Sequence, residues 1–345
     1  MSITIIYGDI FKEHRPTSYH PENPRRLDIA VNSLKKYDLF REVIKPKKAD
    51  LKVLTEVHSL RYISLIETAS KYPRLIDSDT YVSSKTLEVA LNAVGSAMEG
   101  AEIAIEKRKP VFALVRPPGH HVGTYGVAME ASSQGFCIFN NIAFSTVRLK
   151  ELGVKRVAIV DIDVHHGNGT QEIFYEDPNV LHVDFHQDPT TLYPGTGYVT
   201  DIGGGEARGT KVNAVLPPSS GDEEYKLFVN EVLIPILDDF KPDVILVSAG
   251  FDAYVNDGLA DILLTSRTYY QIASLLLQYG KPLLAILEGG YSVGLERGLP
   301  AFIAGLSKIE NPIRDRSTRS GRGIVGRARE NLRYLKSVLK DYWRL

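Results

Sequence analysis

The 345-residue chain has a single cysteine, Cys137, so no intrachain disulfide can form and a reducing compartment suits it. Long apolar runs are missing too. The N-terminus offers only Ile3-Thr4-Ile5-Ile6 before Gly8 and Asp9, too short for the core of a signal peptide, and no later stretch approaches membrane-spanning length. The formal net charge of −1 gives no global case for adhesion to nucleic acid or to a membrane surface. Internal repeats, low-complexity tracts and dividing linkers are also absent. The expectation is a soluble, cytoplasmic protein folded as one domain over residues 1–345, with no oligomeric state legible.

Hydrophobic residues make up 43% of the chain, enough to bury one large core. Short apolar runs at 3–7, 111–115, 156–161, 180–185, 212–216, 244–249 and 283–287 read as strands. They are mostly continuous rather than alternating, the mark of strands covered on both faces. Amphipathic patterns at 84–107, 141–152, 222–240 and 266–279 read as helices, with Asp222 as an N-cap. The alternation predicts an α/β fold: one open, mostly parallel sheet with helices on both faces. In such sheets functional residues gather beyond the carboxyl ends of the strands.

The densest chemistry lies in Asp161-Ile162-Asp163-Val164-His165-His166-Gly167-Asn168-Gly169, directly after an apolar run. In extended chain alternate side chains share a face, so Asp161, Asp163 and His165 point the same way. Two carboxylates and an imidazole together suit a divalent cation, and Gly-Asn-Gly lets the backbone turn sharply beside them. Any one of the three alone would be an ordinary solvated strand end. Polar loops follow other expected strands: Arg116-Pro117-Pro118-Gly119-His120-His121, Gly250-Phe251-Asp252 and Glu288-Gly289-Gly290-Tyr291. Asp252 is available as a further ligand; with Asp163 and His165 it would leave open positions on the metal.

Tandem histidines are commonly surface or core residues, but the stiff Pro117-Pro118-Gly119 lead holds His120 and His121 in place for proton transfer. Asp161 can then accept an N–H from one ring and Asn168 from the other. The carboxylate favours a charged ring, whereas the amide leaves its partner nearer an ordinary histidine. Tyr291, after two glycines, can bring a phenol to a developing oxyanion.

With these motifs in this order, the sequence resembles the histone deacetylase family, within the arginase/deacetylase fold. The resemblance begins at His20-Pro21-Glu22-Asn23-Pro24-Arg25-Arg26-Leu27 and runs to about Leu306. It also takes in Asp77-Ser78-Asp79-Thr80, Gly135-Phe136-Cys137-Ile138-Phe139-Asn140-Asn141 and Tyr193-Pro194-Gly195-Thr196-Gly197. It implies zinc (Zn2+) held by Asp163, His165 and Asp252; ferrous iron (Fe2+) suits the same ligands. It implies His121 as general base and acid, His120 backed by Asp161 as its electrostatic partner, and Tyr291 polarising the acyl carbonyl. Gly135, Phe136 and Tyr193 would line an acyl-lysine tunnel, Arg26 would lie near an acetate exit, and Asp77 or Asp79 would grip the substrate backbone at the rim. The implied reaction is hydrolysis of an N-acetyl amide to acetate and a free amine. The substrate would be an acetyl-lysine protein or peptide, or a small acetylated amine such as an acetylpolyamine.

The sequence departs from the family pattern in places. Asn168 stands where one branch has Asp, as in the class II and prokaryotic branches. Asp184 stands where the family usually has a Ser beside a monovalent cation; a carboxylate there could hold K+ or pair with a neighbouring cation. Tyr193 adds a hydroxyl where Phe is commoner, which points to a more polar acyl-amine. Residues 124–133 form a loop expected to shape the entrance.

Two other function classes compete. A binuclear hydrolase of the same fold needs bridging ligands, and only Asp161 and His166 are near. A non-catalytic acyl-lysine or nucleic-acid binder would be signalled by loss of a ligand, of His121 or of Tyr291, and all are present. Gly203-Gly204-Gly205 opens no helix and reads as a connecting loop rather than a phosphate cradle. From Asn311 to Leu345 there are ten Lys/Arg against three Asp/Glu, a local charge of +7 that leaves −8 on the rest. Ile324, Ala328, Leu332, Leu335 and Leu339 recur at helical spacing. The expectation over 310–345 is therefore a solvated basic loop and a docked helix rather than a nucleic-acid site.

Overall fold

The computed structural model describes residues 2–345. Twelve strands occur among them: β1 (Thr4–Ile6), β2 (Glu42–Ile44), β3 (Arg74–Leu75), β4 (Tyr81–Val82), β5 (Val111–Ala113), β6 (Val122–Gly123), β7 (Gly126–Val127), β8 (Val157–Asp161), β9 (Val180–Gln187), β10 (Lys211–Leu216), β11 (Val244–Ala249) and β12 (Leu283–Leu287). Eight form one sheet in the order β10-β9-β8-β11-β12-β5-β1-β2, and every pairing in it is parallel. The pairs β3-β4 and β6-β7 are small antiparallel hairpins. Ten α-helices surround the sheet: α1 (Arg25–Lys36), α2 (Leu60–Lys71), α3 (Thr86–Lys107), α4 (Asn141–Glu151), α5 (Asn168–Ile173), α6 (Asp222–Phe228), α7 (Ile234–Phe240), α8 (Ser266–Gln278), α9 (Leu299–Ser307) and α10 (Arg322–Leu339). Strands β8 to β12 are buried along their whole length; the apolar runs of β8, β11 and β12 suit a sheet covered on both faces, whereas β9 and β10 also bury His182, Asp184, His186, Lys211 and Asn213.

The strand order places the site. From β8 the chain steps outward to β9 and β10, whereas β11 returns to the other flank of β8 and leads on to β12. That reversal opens a crevice at the carboxyl ends of β8 and β11. The four adjacent strands β8, β11, β12 and β5 are those followed by the polar loops of the sequence.

Some elements differ from the sequence reading. Edge strand β2 is only partly buried and carries no apolar run, so no periodicity announced it. The rod expected over 222–240 widens into a π-turn at Val229–Leu233 before Pro235, which has no N–H to give an α-helical ladder. Asp222 does not cap its own helix, whose N-cap is Gly221. Its carboxylate instead accepts N–H and O–H bonds from Thr265 (2.9 Å each), O–H from Thr268 (2.7 Å) and N–H from Thr318 (3.1 Å), tying α6 to α8 and to the C-terminal segment. Helix α10 packs on β10 through buried Ala328, Leu332, Leu335 and Leu339, with Ile324 half-buried. No helix among the described residues is long and apolar enough to cross a membrane.

Candidate active site

The loop after β8 is wound by its own carboxylates. Asp161 accepts the N–H of Asp163 (3.0 Å), and Asp163 accepts those of His165 (3.0 Å) and of Gly289 beyond β12 (2.7 Å). Asp252, beyond β11, accepts the N–H of Val164 (3.1 Å). Three loops are thereby locked together by hydrogen bonds to buried carboxylates, each charge-assisted. Two glycines make the approach possible: a Cβ on Gly250 would lie 2.2 Å from an Asp163 oxygen, and one on Gly289 2.1 Å from an Asp252 oxygen.

Asp163, His165 and Asp252 converge, with Nδ1 of His165 3.1 Å from an oxygen of each carboxylate. Burial alone would push the His165 imidazole down, but its hydrogen bonds to Asp163 and Asp252 outweigh that and raise it to about 9. Burial, reinforced by repulsion from Asp163, lifts Asp252 to about 6. Two carboxylates and an imidazole nitrogen thus enclose a space built for positive charge, and their N/O donor set fits zinc or ferrous iron. Two further clusters, His120–Cys137–Glu288 and Asp161–His182–Asp184, also gather three donors each. Only the first of the three has a member, His165, that lines the pocket together with His121 and Tyr291.

The tandem histidines, beyond β5, take different partners. Nδ1 of His120 lies 3.0 Å from Asp161. Burial would lower this ring, but Asp161 and Asp163 override it and hold it well above the ordinary histidine range, so His120 is a cation. Nδ1 of His121 lies 2.8 Å from the side-chain oxygen of Asn168, whose amide nitrogen donates to Ala128 O (2.9 Å). With the amide so oriented, His121 carries its proton on Nδ1 and keeps a lone pair on Nε2. Burial, together with repulsion from His120 and His165, pushes it well below the usual range. One ring holds a charge and the other is free to take a proton.

Tyr291 is fixed at its backbone by Asp257, which accepts the N–H groups of Tyr291 (2.7 Å), Ser292 (2.9 Å) and Gly294 (2.7 Å). Burial keeps its phenol protonated, well above the ordinary value, and so a donor. Arg26 sits 4.8 Å from the Tyr291 ring centroid and donates to the carbonyls of Gly290 (2.7 Å) and Glu288. It is therefore buried beneath the tyrosine loop.

A cavity of about 220 Å³ opens over these groups, lined by Asp79, His121, Gly135, Phe136, His165, Leu192, Tyr193, Leu259 and Tyr291. Asp79 is at this cavity, whereas Asp77 turns into its own loop and accepts the N–H groups of Asp79, Thr80 and Gln134 (3.0, 2.7 and 2.9 Å). The Tyr193 hydroxyl donates to Ser133 O at 2.9 Å, so it braces the wall instead of offering the polar contact its presence suggested. Asp184 meets Nδ1 of His186 at 2.6 Å and the N–H of Gly167 at 2.8 Å.

Sequence reasoning missed several supports. Glu288 accepts the N–H groups of Gly119 (2.7 Å) and His120 (3.2 Å), anchoring the histidine loop, and its burial raises it to about 7. Glu22 binds the buried Arg116 through both oxygens, one at 2.7 Å, and also accepts from Arg26 (3.2 Å) and the Tyr81 hydroxyl (2.9 Å). Leu192 and Leu259 lie in loops with no periodic signal. The position of Glu288 directly beyond a strand was the one clue available.

Comparison with known proteins agrees with this geometry. Residues 20–306 match the model of the histone deacetylase domain. An uncharacterized protein of Methanocaldococcus jannaschii is 48% identical, with 87% of this chain and 86% of that protein aligned. A probable deacetylase of Archaeoglobus fulgidus is 36% identical over 99% of this chain and 98% of its own length. The crystal structure of the HDA15 HD domain superposes with a TM-score of 0.89 at 31% identity, covering 99% of this chain and 95% of that one.

Proposed function

The chain belongs to the histone deacetylase family, and on that premise we propose that it is a metal-dependent deacetylase that hydrolyses acetyl-lysine in proteins or peptides, in the cytoplasm. One observation carries the reading. A neutral histidine, a protonated phenol and a three-donor cation site face the same narrow cavity.

Asp163, His165 and Asp252 would hold zinc or ferrous iron; such an ion polarises water and an amide carbonyl, lowering the water pKa from about 15.7 to near 7. His121 takes the proton of the attacking water on Nε2, while Asn168 holds the ring's other nitrogen. Positive His120, held by Asp161, lies with its ring centroid 4.0 Å from that of His121 and steadies negative charge as the water adds. Tyr291 donates to the oxyanion that develops on the former carbonyl oxygen. His121 then passes its proton to the leaving nitrogen, the C–N bond breaks, and acetate and the amine separate. Potassium beside Asp184 would have to displace the hydrogen bond from His186.

The walls favour lysine over a polyamine. Phe136, Tyr193, Leu192 and Leu259 surround the cavity with carbon, suited to a neutral methylene chain. A second or third ammonium group would find only Asp79. That carboxyl already accepts from Ser133 (2.5 Å) and Thr80 (3.0 Å), and burial and repulsion from Asp77 raise its pKa. The test is acetate release by zinc-reconstituted enzyme from acetyl-lysine peptides, acetylpolyamines and other acyl amides. Acetyl-lysine peptides are expected to give the highest kcat/KM; faster turnover of acetylpolyamines would reassign the substrate.

A further inference from the structure

Some cations elsewhere on the surface sit opposite carboxylates, as Arg15 does Glu13, Lys85 Glu88 and Lys150 Asp177, whereas others such as Lys45, Arg61, Arg74 and Lys281 stand exposed and scattered without an ion pair to another described residue. The C-terminal segment differs in density, with ten Lys/Arg against three Asp/Glu between residues 311 and 345. Arg314, Arg316, Arg319, Arg322, Arg327, Arg329, Arg333 and Lys340 are all exposed, and none makes an ion pair or side-chain hydrogen bond with another described residue. Lys336 alone on α10 reaches an acid, Glu231, at 3.0 Å.

Their placement is ordered. At about 100° per residue, Arg322, Arg329, Arg333, Lys336 and Lys340 fall within about 40° of one line along α10, a row roughly 27 Å long. The apolar stripe of the same helix is already buried on β10, so the row is held on a docked, rigid support. The segment before it is tethered as well. Asp315 binds Arg297 and accepts from the Tyr254 hydroxyl (2.6 Å), and Thr318 donates to Leu263 O (2.6 Å). Arg314, Arg316 and Arg319 project from that tethered stretch. Side chains that lose entropy to a fixed scaffold yet repel one another gain nothing for the fold.

We propose that the basic flank of α10 and residues 314–319 form a binding surface for the phosphate backbone of nucleic acid, independent of the deacetylase reading. Phosphate is favoured over other anions for three reasons. Arginine outnumbers lysine eight to two between residues 311 and 345, and its planar fork pairs with phosphate through two parallel bonds. The row spans several phosphates of one strand. Membrane insertion would need a free apolar face, and the apolar face of α10 is taken.

The experiment is anisotropy of a labelled duplex of about 20 base pairs, long enough to cover the row, titrated with the full chain at several salt concentrations. The wild type is expected to bind at low salt and to weaken steeply as salt rises. The triple variant R322E/R329E/R333E is expected to lose at least about tenfold in affinity and to flatten the salt slope by roughly three phosphate contacts, with turnover of an acetylated peptide unchanged. The milder R322Q/R329Q/R333Q, checked by circular dichroism, guards against misfolding and should show the same flattening. No binding by the wild type at low salt, or an unaltered slope in both variants, overturns the proposal. Tighter retention on anionic vesicles than on duplex, or equal competition by polyglutamate, also overturns it, in favour of a lipid or protein partner.

Discussion

Two regions of this molecule concentrate charge, and they are built in opposite ways. At the strand ends Asp161, Asp163 and Asp252 are buried, and each carboxylate accepts a backbone N–H and faces an imidazole. On α10 and the segment before it the arginines are exposed and make no ion pair with another described residue, although Glu223 and Glu224 line the same surface pocket as Arg319 and Arg329. A buried charge without a partner costs several kcal/mol, so position and partner are set together at the strand ends. An exposed guanidinium carries no such penalty, and the tail can hold unpaired charge without unfolding. Function at the site follows from pairwise geometry; function on the tail can follow only from collective charge.

That contrast can be broken or sharpened experimentally. Asp252→Ala should have the largest effect, because it removes one of three cation donors and the acceptor for Val164. Loss of bound metal by elemental analysis together with loss of acetate release is expected; full metal content would place the ion elsewhere. Glu22→Gln leaves the buried Arg116 guanidinium short of its counter-charge and should cost about 3–5 kcal/mol in denaturant unfolding. Burial opposes ionisation of Glu22, but Arg116 wins and holds its carboxyl below the usual range. Its folded pKa is therefore below the unfolded one. The stabilisation is present above the unfolded carboxylate pKa of about 4.3 and is lost as pH falls through the folded value. The variant should accordingly differ most from wild type at neutral pH and least in acid.

Tyr291→Phe keeps the ring against Phe136 and Arg26 but removes the donor. A fall of about 10²–10³ in kcat with little change in KM is expected, and an unchanged kcat would remove Tyr291 from the chemistry. Asn168→Asp gives His121 a carboxylate partner and raises its pKa. Since the base must be neutral, the acid limb of kcat/KM against pH should move to higher pH than in the wild type, whose His121 is depressed by burial and by its charged neighbours. The smallest effect on folding belongs to the tail: R322E/R329E/R333E should change unfolding stability by less than about 0.5 kcal/mol per site. A larger loss would mean that the tail is paired after all.

The legible parts of the site were those governed by local geometry. Asp163, His165, Asp252 and Tyr291 all come soon after apolar runs, but strand alternation stops at Asp161, and it is the carboxylate-wound loop beyond β8 that brings Asp163 and His165 together while Asp161 groups with His182 and Asp184. What escaped depended on partners distant in the chain. Nothing local separates Asp77 from Asp79; Asp77 is claimed by two N–H groups of its own loop and by that of distant Gln134. The Tyr193 hydroxyl is spoken for by a carbonyl 60 residues away. Asp222 looked like a cap for the helix it begins, but threonines from two other segments claim its oxygens. In the fold, the sheet interior was written in continuous apolar runs, while edge strand β2 has too little burial to need one.

The central claim is that Asp163, His165 and Asp252 would hold the ion beside which His121 takes the water's proton and Tyr291 donates to the oxyanion. The most direct test is to strip the full chain with chelator, follow acetate release from an acetyl-lysine peptide, and return zinc in sub-stoichiometric steps. Activity should vanish and then rise linearly to a plateau at one equivalent. Undiminished acetate release from verified metal-free protein would contradict the account.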